Sequence, residues 1–200
     1  RIIIVEMMGR ETGWLTLAAG LAGGADVILI PEIPYDVNII SQAIISRSER
    51  GKRFSLVAVS EGAVSAETNA FFESVRKANE RLREGKEEAA ISNHLKKIEK
   101  STAGDTLHLA NRLEKFTHLE TRVTILGYLQ RGGTPSANDR VMATQLGAAC
   151  ARLIQAGQFG VMGAASQGGT TTVPLSEVAN QIKAIPLEHG WIKAARLVGV

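Results

Sequence analysis

The chain has 200 residues, of which 44% are hydrophobic and 22% are charged. It can therefore bury a sizeable core, and its composition excludes general disorder. Its 23 basic and 20 acidic residues leave a net charge of +3, which is too balanced to indicate a nucleic-acid partner. The single cysteine excludes a disulfide framework and multi-cysteine zinc sites. The apolar runs are too short to predict a membrane span.

The chain opens on Arg1 and four apolar residues, without a methionine or a polar leader. We interpret it as a fragment that begins inside a β-strand; a processed mature terminus is the alternative. The pattern of a signal peptide is missing, and we expect a cytoplasmic protein.

Strands and helices alternate in the first part of the sequence. We predict strands at residues 2–6, 25–30 and 54–60, with helices at 14–21 and 36–50 between them. Asp36 is the expected N-cap of the second helix, and Gly51 is its C-cap candidate. This order predicts an α/β fold with an open, doubly wound parallel sheet and helices on both faces.

The second part continues with longer helices. Ser136 and Asp139 have nearly the spacing of a capping box and are expected to start a long helix. We predict helices at 66–100 (broken near Gly85), 105–116 and 136–156, strands at 121–127 and 159–165, a glycine-rich loop at 130–136, and two short helices near the end.

Polar residues follow three of the predicted strands, where open α/β sheets bind their ligands. Met8, Gly9 and Arg10 follow the first strand and Glu61 follows the third; residues 128–133, which include Tyr128 and Arg131, follow the fourth. Arginine and exposed backbone N–H groups bind phosphate, and a carboxylate accepts hydrogen bonds from hydroxyls. The combination favours a sugar phosphate, while structural ion pairs of the two arginines are the alternative interpretation.

Three segments closely resemble 6-phosphofructokinases of the bacterial type: residues 5–10, residues 22–32 and residues 126–135. Asp139 and Arg140, in the helix that follows, fit the family too. The resemblance covers nearly the whole chain but only about the second half of such an enzyme. It implies a two-domain fold, with an acceptor domain at 1–133, a return segment into the nucleotide domain at 134–170, and C-terminal helices at 171–200.

The resemblance also implies a role for each matching residue. Arg10 matches an arginine that binds fructose 6-phosphate and stabilises charge on the transferring phosphoryl group. Arg1 and Arg122 match arginines that reach a neighbouring subunit's sugar phosphate. The resemblance therefore implies a homo-oligomer, and the family's usual assembly implies a homotetramer. The implied substrate-binding residues are Arg1, Met8, Gly9, Arg10, Glu61, Arg122, Tyr128 and Arg131.

Two further features concern the phosphate contact and a second site. Tyr128 stands where the family commonly has histidine; because a tyrosine phenol stays neutral near pH 7, sugar-phosphate binding should depend less on pH. The resemblance places Asp26, Arg50 and Lys52 near an allosteric effector site between subunits. A helix C-terminus decorated with cations, which include Arg47 and Arg53, is the alternative.

The donor side of the reaction is not represented in this sequence. The family's glycine-rich donor loop and catalytic aspartate are missing, and the four histidines lack metal-ligand spacing, so we predict no metal site here. The intact enzyme is implied to use Mg²⁺ with ATP, or else pyrophosphate. A noncatalytic sugar-phosphate-binding relative and an unrelated nucleotide-binding α/β protein are the competing hypotheses.

Overall fold

The computed structural model describes residues 1–81 and 106–198. Four parallel strands form its main sheet: β1 (Ile2–Met7), β2 (Val27–Leu29), β3 (Ser55–Ser60) and β4 (Thr121–Ile125). Their order is β2-β3-β1-β4, with β1 paired in parallel to β3 and β4, and β2 to β3. The helices around this sheet are α1 (Trp14–Ala22), α2 (Val37–Glu49), α3 (Ala66–Arg81), α4 (Thr106–Thr117) and α7 (Gly190–Leu197).

The sheet carries a core on each of its faces. One core joins the sheet to α2 and α4, with Ile4, Ile44, Val57 and Leu113 fully buried. The other joins α1 and α7 to β2 and contains Leu17, Ile30, Ile185, Ile192 and Ala195. Truncating a fully buried leucine such as Leu113 to alanine costs about 2–5 kcal/mol of folding free energy. The predicted doubly wound sheet with helices on both faces is confirmed.

Local sequence signals account for the start and end of α2. The Asp36 side chain accepts a hydrogen bond of 2.7 Å from the backbone N–H of Asn38, as expected of an N-cap. After the helix, Gly51 adopts φ +82°, the left-handed conformation that glycine allows. The predicted break near Gly85 and the residues up to Lys100 lie outside the described residues.

The structure divides into two compact units, Arg1–Gln130 with Ala184–Val200, and Arg131–Lys183. The second unit contains α5 (Ala137–Gln155), the antiparallel hairpin of β5 (Val161–Ser166) and β6 (Gly169–Pro174), and α6 (Leu175–Val178). Ser136 and Asp139 form the expected capping box. Strand β6 lies where we expected loop and then short helices, because three consecutive threonines favour a strand.

The described residues contain no helix that is both long enough and apolar enough to cross a bilayer.

A short 3₁₀ helix, Gly127–Arg131, replaces the end of the predicted fourth strand and the beginning of the glycine-rich loop. Its residues Tyr128 and Leu129, which lie between the predicted strand and the predicted loop, are exposed.

Candidate functional site

The carboxyl ends of three neighbouring strands form one edge of the main sheet. Met7 of β1 lies opposite Ser60 of β3, and Glu6 of β1 lies opposite Ile125 of β4. The chain therefore leaves all three strands at one level. The segments that carry Arg10, Glu61 and Tyr128 start side by side at this edge.

The segment after β1, residues 8–13, is called the β1 loop below. Its Gly9 carbonyl oxygen accepts hydrogen bonds from the Ser60 hydroxyl and from the Gly62 N–H, at 3.1 Å. A Cβ on Gly62 would lie 1.8 Å from the Arg10 carbonyl oxygen. The loop after β3 thus presses directly against the β1 loop, and only glycine permits this approach.

Gly9 itself requires glycine for two reasons. Its φ of +146° is one that residues with a side chain rarely adopt, and a Cβ there would lie 2.6 Å from the Thr12 carbonyl oxygen. The backbone before Arg10 is therefore held in one conformation by its own geometry and by the fully buried Ser60. Backbone and guanidinium N–H groups of a loop held in this way can bind an anion.

Gln130 links the loops that follow β1 and β4. Its side-chain oxygen Oε1 accepts a hydrogen bond of 2.7 Å from the backbone N–H of Met8. Gln130 lies within the motif at residues 126–135, but the motif alone assigns it no role. Local patterns could not reveal it, because its partner is 122 residues away in the chain.

The polar side chains of this edge remain accessible. Arg10 is exposed and Glu61 is half-buried, and Tyr128 is 86% exposed. A guanidinium, a carboxylate and a phenol at an open edge can together bind a group that has both a phosphate and hydroxyls. Arg131 is exposed and begins the second unit; its role toward a phosphate stays a prediction.

Arg1 and Arg122 lie at the other end of the strands. Arg1 Nε is 2.9 Å from Glu120 Oε2, and Arg122 Nη2 is 2.8 Å from Glu120 Oε1. The hydrogen bond from Arg122, together with the charges of both arginines, lowers the pKa of Glu120. Since Ile2 pairs with Thr121, this cluster marks the amino ends of β1 and β4.

The candidate effector residues have different surroundings. Asp26 is 2.6 Å from Arg47 Nη2, and its Oδ2 atom accepts a hydrogen bond of 2.8 Å from the Leu56 N–H. Arg50 and Lys52 are exposed beyond α2. Asp26, which directly precedes β2, thus ties α2 to β3, and an effector role for these residues stays a prediction.

The described residues contain no group of three or more His, Cys, Asp or Glu side chains placed to hold a metal ion. No residue of the ranges 1–81 and 106–198 is therefore assigned to a metal.

The chain is similar in sequence to known proteins. A family model described as Phosphofructokinase matches residues 1–154. An ATP-dependent 6-phosphofructokinase of Propionibacterium freudenreichii is 51% identical over all of this chain and 53% of its own length. One of Spirochaeta thermophila is 45% identical, over all of this chain and 50% of its own length. The chain thus spans about half the length of these curated relatives.

Solved structures show the same fold. The pyrophosphate-dependent phosphofructokinase of Marinobacter aquaeolei matches with a TM-score of 0.67 and 25% identity, over 94% of this chain and 42% of that one. The phosphofructokinase of Pichia pastoris in the T-state matches with a TM-score of 0.62 and 32% identity, over 88% of this chain and 17% of that one.

Proposed function

Because the chain belongs to the phosphofructokinase family, we propose that it forms the acceptor-binding part of an ATP-dependent 6-phosphofructokinase. The intact enzyme transfers a phosphoryl group from ATP to the 1-hydroxyl of fructose 6-phosphate, giving fructose 1,6-bisphosphate in glycolysis. The observation that supports this most directly is the hydrogen bond between Met8 and Gln130, because it links the family's two acceptor motifs at one sheet edge.

The residues at this edge have complementary roles in the proposal. Arg10 binds the sugar phosphate and stabilises negative charge on the phosphoryl group as it moves. Met8 and Gly9 shape the loop, and Glu61 accepts a hydrogen bond from a sugar hydroxyl. Tyr128 and Arg131 bind the 6-phosphate, the first through a neutral hydroxyl and the second through a guanidinium.

Arg1 and Arg122 are proposed to complete the site of another copy of the chain. They lie at the amino ends of β1 and β4, whereas the β1 loop follows the carboxyl end of β1. A strand of six residues spans about 20 Å, so these arginines and Arg10 cannot bind the same small sugar phosphate within one copy. A homo-oligomer with shared sites resolves this separation.

The donor comes from outside the present chain in this proposal. ATP is preferred over pyrophosphate because the relatives that are 51% and 45% identical are named ATP-dependent, while the pyrophosphate-dependent one is 25% identical. Mg²⁺ accompanies ATP and neutralises charge on its phosphates. We place the donor site, the metal ligands and the base that removes the acceptor's proton in the remainder of the enzyme. In this proposal, residues 134–170 are the segment that returns to that nucleotide domain.

A chimera tests the proposal. The matched region of the Propionibacterium freudenreichii relative is replaced by this chain, and phosphorylation of fructose 6-phosphate by ATP is measured, with glucose 6-phosphate as the competing substrate. We expect activity that requires fructose 6-phosphate and is lost in Arg10→Ala. A folded chimera that binds ATP but does not phosphorylate the sugar would contradict the proposal and favour a noncatalytic sugar-phosphate-binding relative.

A further inference from the structure

One carboxylate joins the end of the β1 loop to residues 184–198, called the C-terminal segment below. Both oxygens of Glu32 lie 3.1 Å from the backbone nitrogen of Gly13, which donates to them. Glu32 Oε1 also accepts a hydrogen bond of 3.0 Å from the backbone N–H of Ile185. All three residues belong to the first unit, and none of them is among the site residues predicted from the sequence.

The place where Glu32 binds Gly13 is tightly restricted. Gly13 is buried, and a Cβ there would lie 2.4 Å from the Cβ of Ile30. The loop must therefore approach the end of β2 more closely than any other residue allows. Gly13 also precedes α1 (Trp14–Ala22) and has no side chain to cap it, so a carboxylate here suits the positive end of the helix.

The β1 loop consequently has two fixed ends with Arg10 between them. At its start, the Gly9 carbonyl oxygen is held by Ser60 and Gly62. At its end, the Gly13 N–H is held by Glu32. Fixing both ends limits the positions that the Arg10 backbone can reach, which is the condition for a preorganised anion site.

The C-terminal segment reaches Glu32 through well-packed side chains. Ile185 is 2% exposed and belongs to the core formed with α1 and β2. Close by, the ring centroids of Trp14 and His189 are 5.0 Å apart, and those of Trp14 and Trp191 are 6.1 Å apart. The start of α1 is thus packed against the segment that supplies the Ile185 N–H.

We propose that Glu32 is a positioning residue for the acceptor site. Its carboxylate fixes the end of the β1 loop and uses the packed C-terminal segment as its support. It does not touch the substrate; it acts through Gly13 on the placement of Arg10. The inference rests on the proposed function, since it concerns the binding of fructose 6-phosphate.

The test uses the chimera described above, with Glu32→Ala, Glu32→Gln and the control Glu188→Ala. Glu188 lies in the same C-terminal segment, where its exposed side chain pairs with Lys193 at 3.0 Å. For each variant, kcat and the KM values for fructose 6-phosphate and ATP are measured, and thermal unfolding verifies the fold. Glu32→Gln keeps an oxygen that accepts hydrogen bonds but lacks the charge.

We expect Glu32→Ala to raise the KM for fructose 6-phosphate roughly tenfold or more, the loss typical of hydrogen bonds to a charged group. The KM for ATP stays within about twofold, Glu32→Gln recovers most of the loss, and the control matches the unchanged chimera. If Glu32→Ala does not fold, Glu32→Gln decides: a small rise confined to its fructose 6-phosphate KM supports the inference, and the absence of that rise overturns it.

Two results would overturn the inference. Equal rises in both KM values, or no rise in the fructose 6-phosphate KM of a folded Glu32→Ala, would mean that Glu32 only stabilises the fold or has no influence. An unchanged chimera that fails to phosphorylate fructose 6-phosphate is a separate outcome: it removes the proposed function and the positioning role with it.

Discussion

Arg1 and Arg122, which lie on different strands, are held beside each other by the same carboxylate. Glu120 accepts from Arg1 at 2.9 Å and from Arg122 at 2.8 Å, and all three side chains are at least half exposed. One carboxylate cannot neutralise two guanidinium groups, so the cluster keeps a net positive charge. It is available to a further anion that reaches this end of the sheet.

The shared-site proposal predicts that two inactive variants of the chimera restore each other. Arg10→Ala and Arg122→Ala should each lower kcat/KM for fructose 6-phosphate by about 30-fold or more, the effect of removing one partner from a charged contact. In a mixed oligomer, one copy supplies an intact Arg10 and its neighbour an intact Arg122. Co-expression with two different affinity tags should therefore yield mixed oligomers with up to half of the unchanged activity.

The control for this experiment is Lys115→Ala, which removes an exposed cation from the last turn of α4. In mixed oligomers of this variant and Arg10→Ala, the activity should equal that of the copies with an intact Arg10 and should not exceed it. Mixed Arg10→Ala and Arg122→Ala oligomers that are no more active than their parents would contradict the sharing of sites.

A second prediction concerns the link between the two acceptor motifs. In Gln130→Ala the backbone N–H of Met8 loses its acceptor, which costs about 1–3 kcal/mol when the group is left unsatisfied. We expect weaker binding of fructose 6-phosphate by calorimetry on the chimera. Gln130→Glu retains an acceptor oxygen for the Met8 N–H, but its charge repels the phosphate, so it should recover thermal stability rather than affinity.

Gln42→Ala on the exposed side of α2 is the matched control for Gln130→Ala. Equal affinities of the two alanine variants would show that the 2.7 Å hydrogen bond to Met8 does not shape the site.

Strands β1, β2 and β3 could be predicted from the sequence because they are largely apolar runs bounded by glycine, proline or polar residues, whereas β4 mixes polar and apolar residues. Ile2 and Ile4 are fully buried as this pattern requires. In the hairpin, we predict β5 but not β6 from the sequence. Thr170, Thr171 and Thr172, preceded by a two-residue turn with Gly168 at φ +85°, are a strand signal that we read as loop.

The candidate site was predictable only where its residues follow strand ends. Strand order brings Arg10 and Glu61 to one edge, and that follows from parallel topology. Glu32 and Gln130 could not be found in this way, because each meets partners far away in the sequence. Such contacts arise only once the chain has folded.

A third prediction tests the tyrosine that stands where the family commonly has histidine. Tyr128→His should bind fructose 6-phosphate more tightly than the unchanged chimera at pH 6, and the difference should shrink toward pH 8. The reason is that a protonated imidazole attracts the phosphate, whereas a neutral imidazole or phenol only forms a hydrogen bond.

The phosphate itself also titrates, with a second pKa near 6. Comparing the variants with one another at each pH removes this effect, because it is the same for all of them. Tyr128→Phe is the control, and it should weaken binding by a similar factor across the range. A Tyr128→His variant whose relative affinity does not change with pH would place this side chain away from the phosphate.

A fourth prediction concerns the ion pair that joins α3 to α4. Arg112 donates to both carboxylate oxygens of Glu67, at 2.8 and 3.1 Å. The hydrogen bond and the charge of Arg112 lower the pKa of Glu67 from its ordinary value of 4.5. Because the folded state binds this proton less readily than the unfolded state, the pair stabilises the fold above about pH 4.5. That stabilisation is lost as the pH falls through the lower, folded value.

Urea unfolding of the chain and of Glu67→Gln at a series of pH values measures this contribution. The unchanged chain should have the higher midpoint at pH 7, and the gap should close as the pH falls below 4.5. The gap is expected to be small, because Glu67 is 69% exposed and solvent screens exposed pairs. Glu49→Gln, at the exposed end of α2, is the control for general charge effects. A midpoint gap that persists unchanged at pH 3 would mean that the glutamine acts by some route other than the lost ion pair.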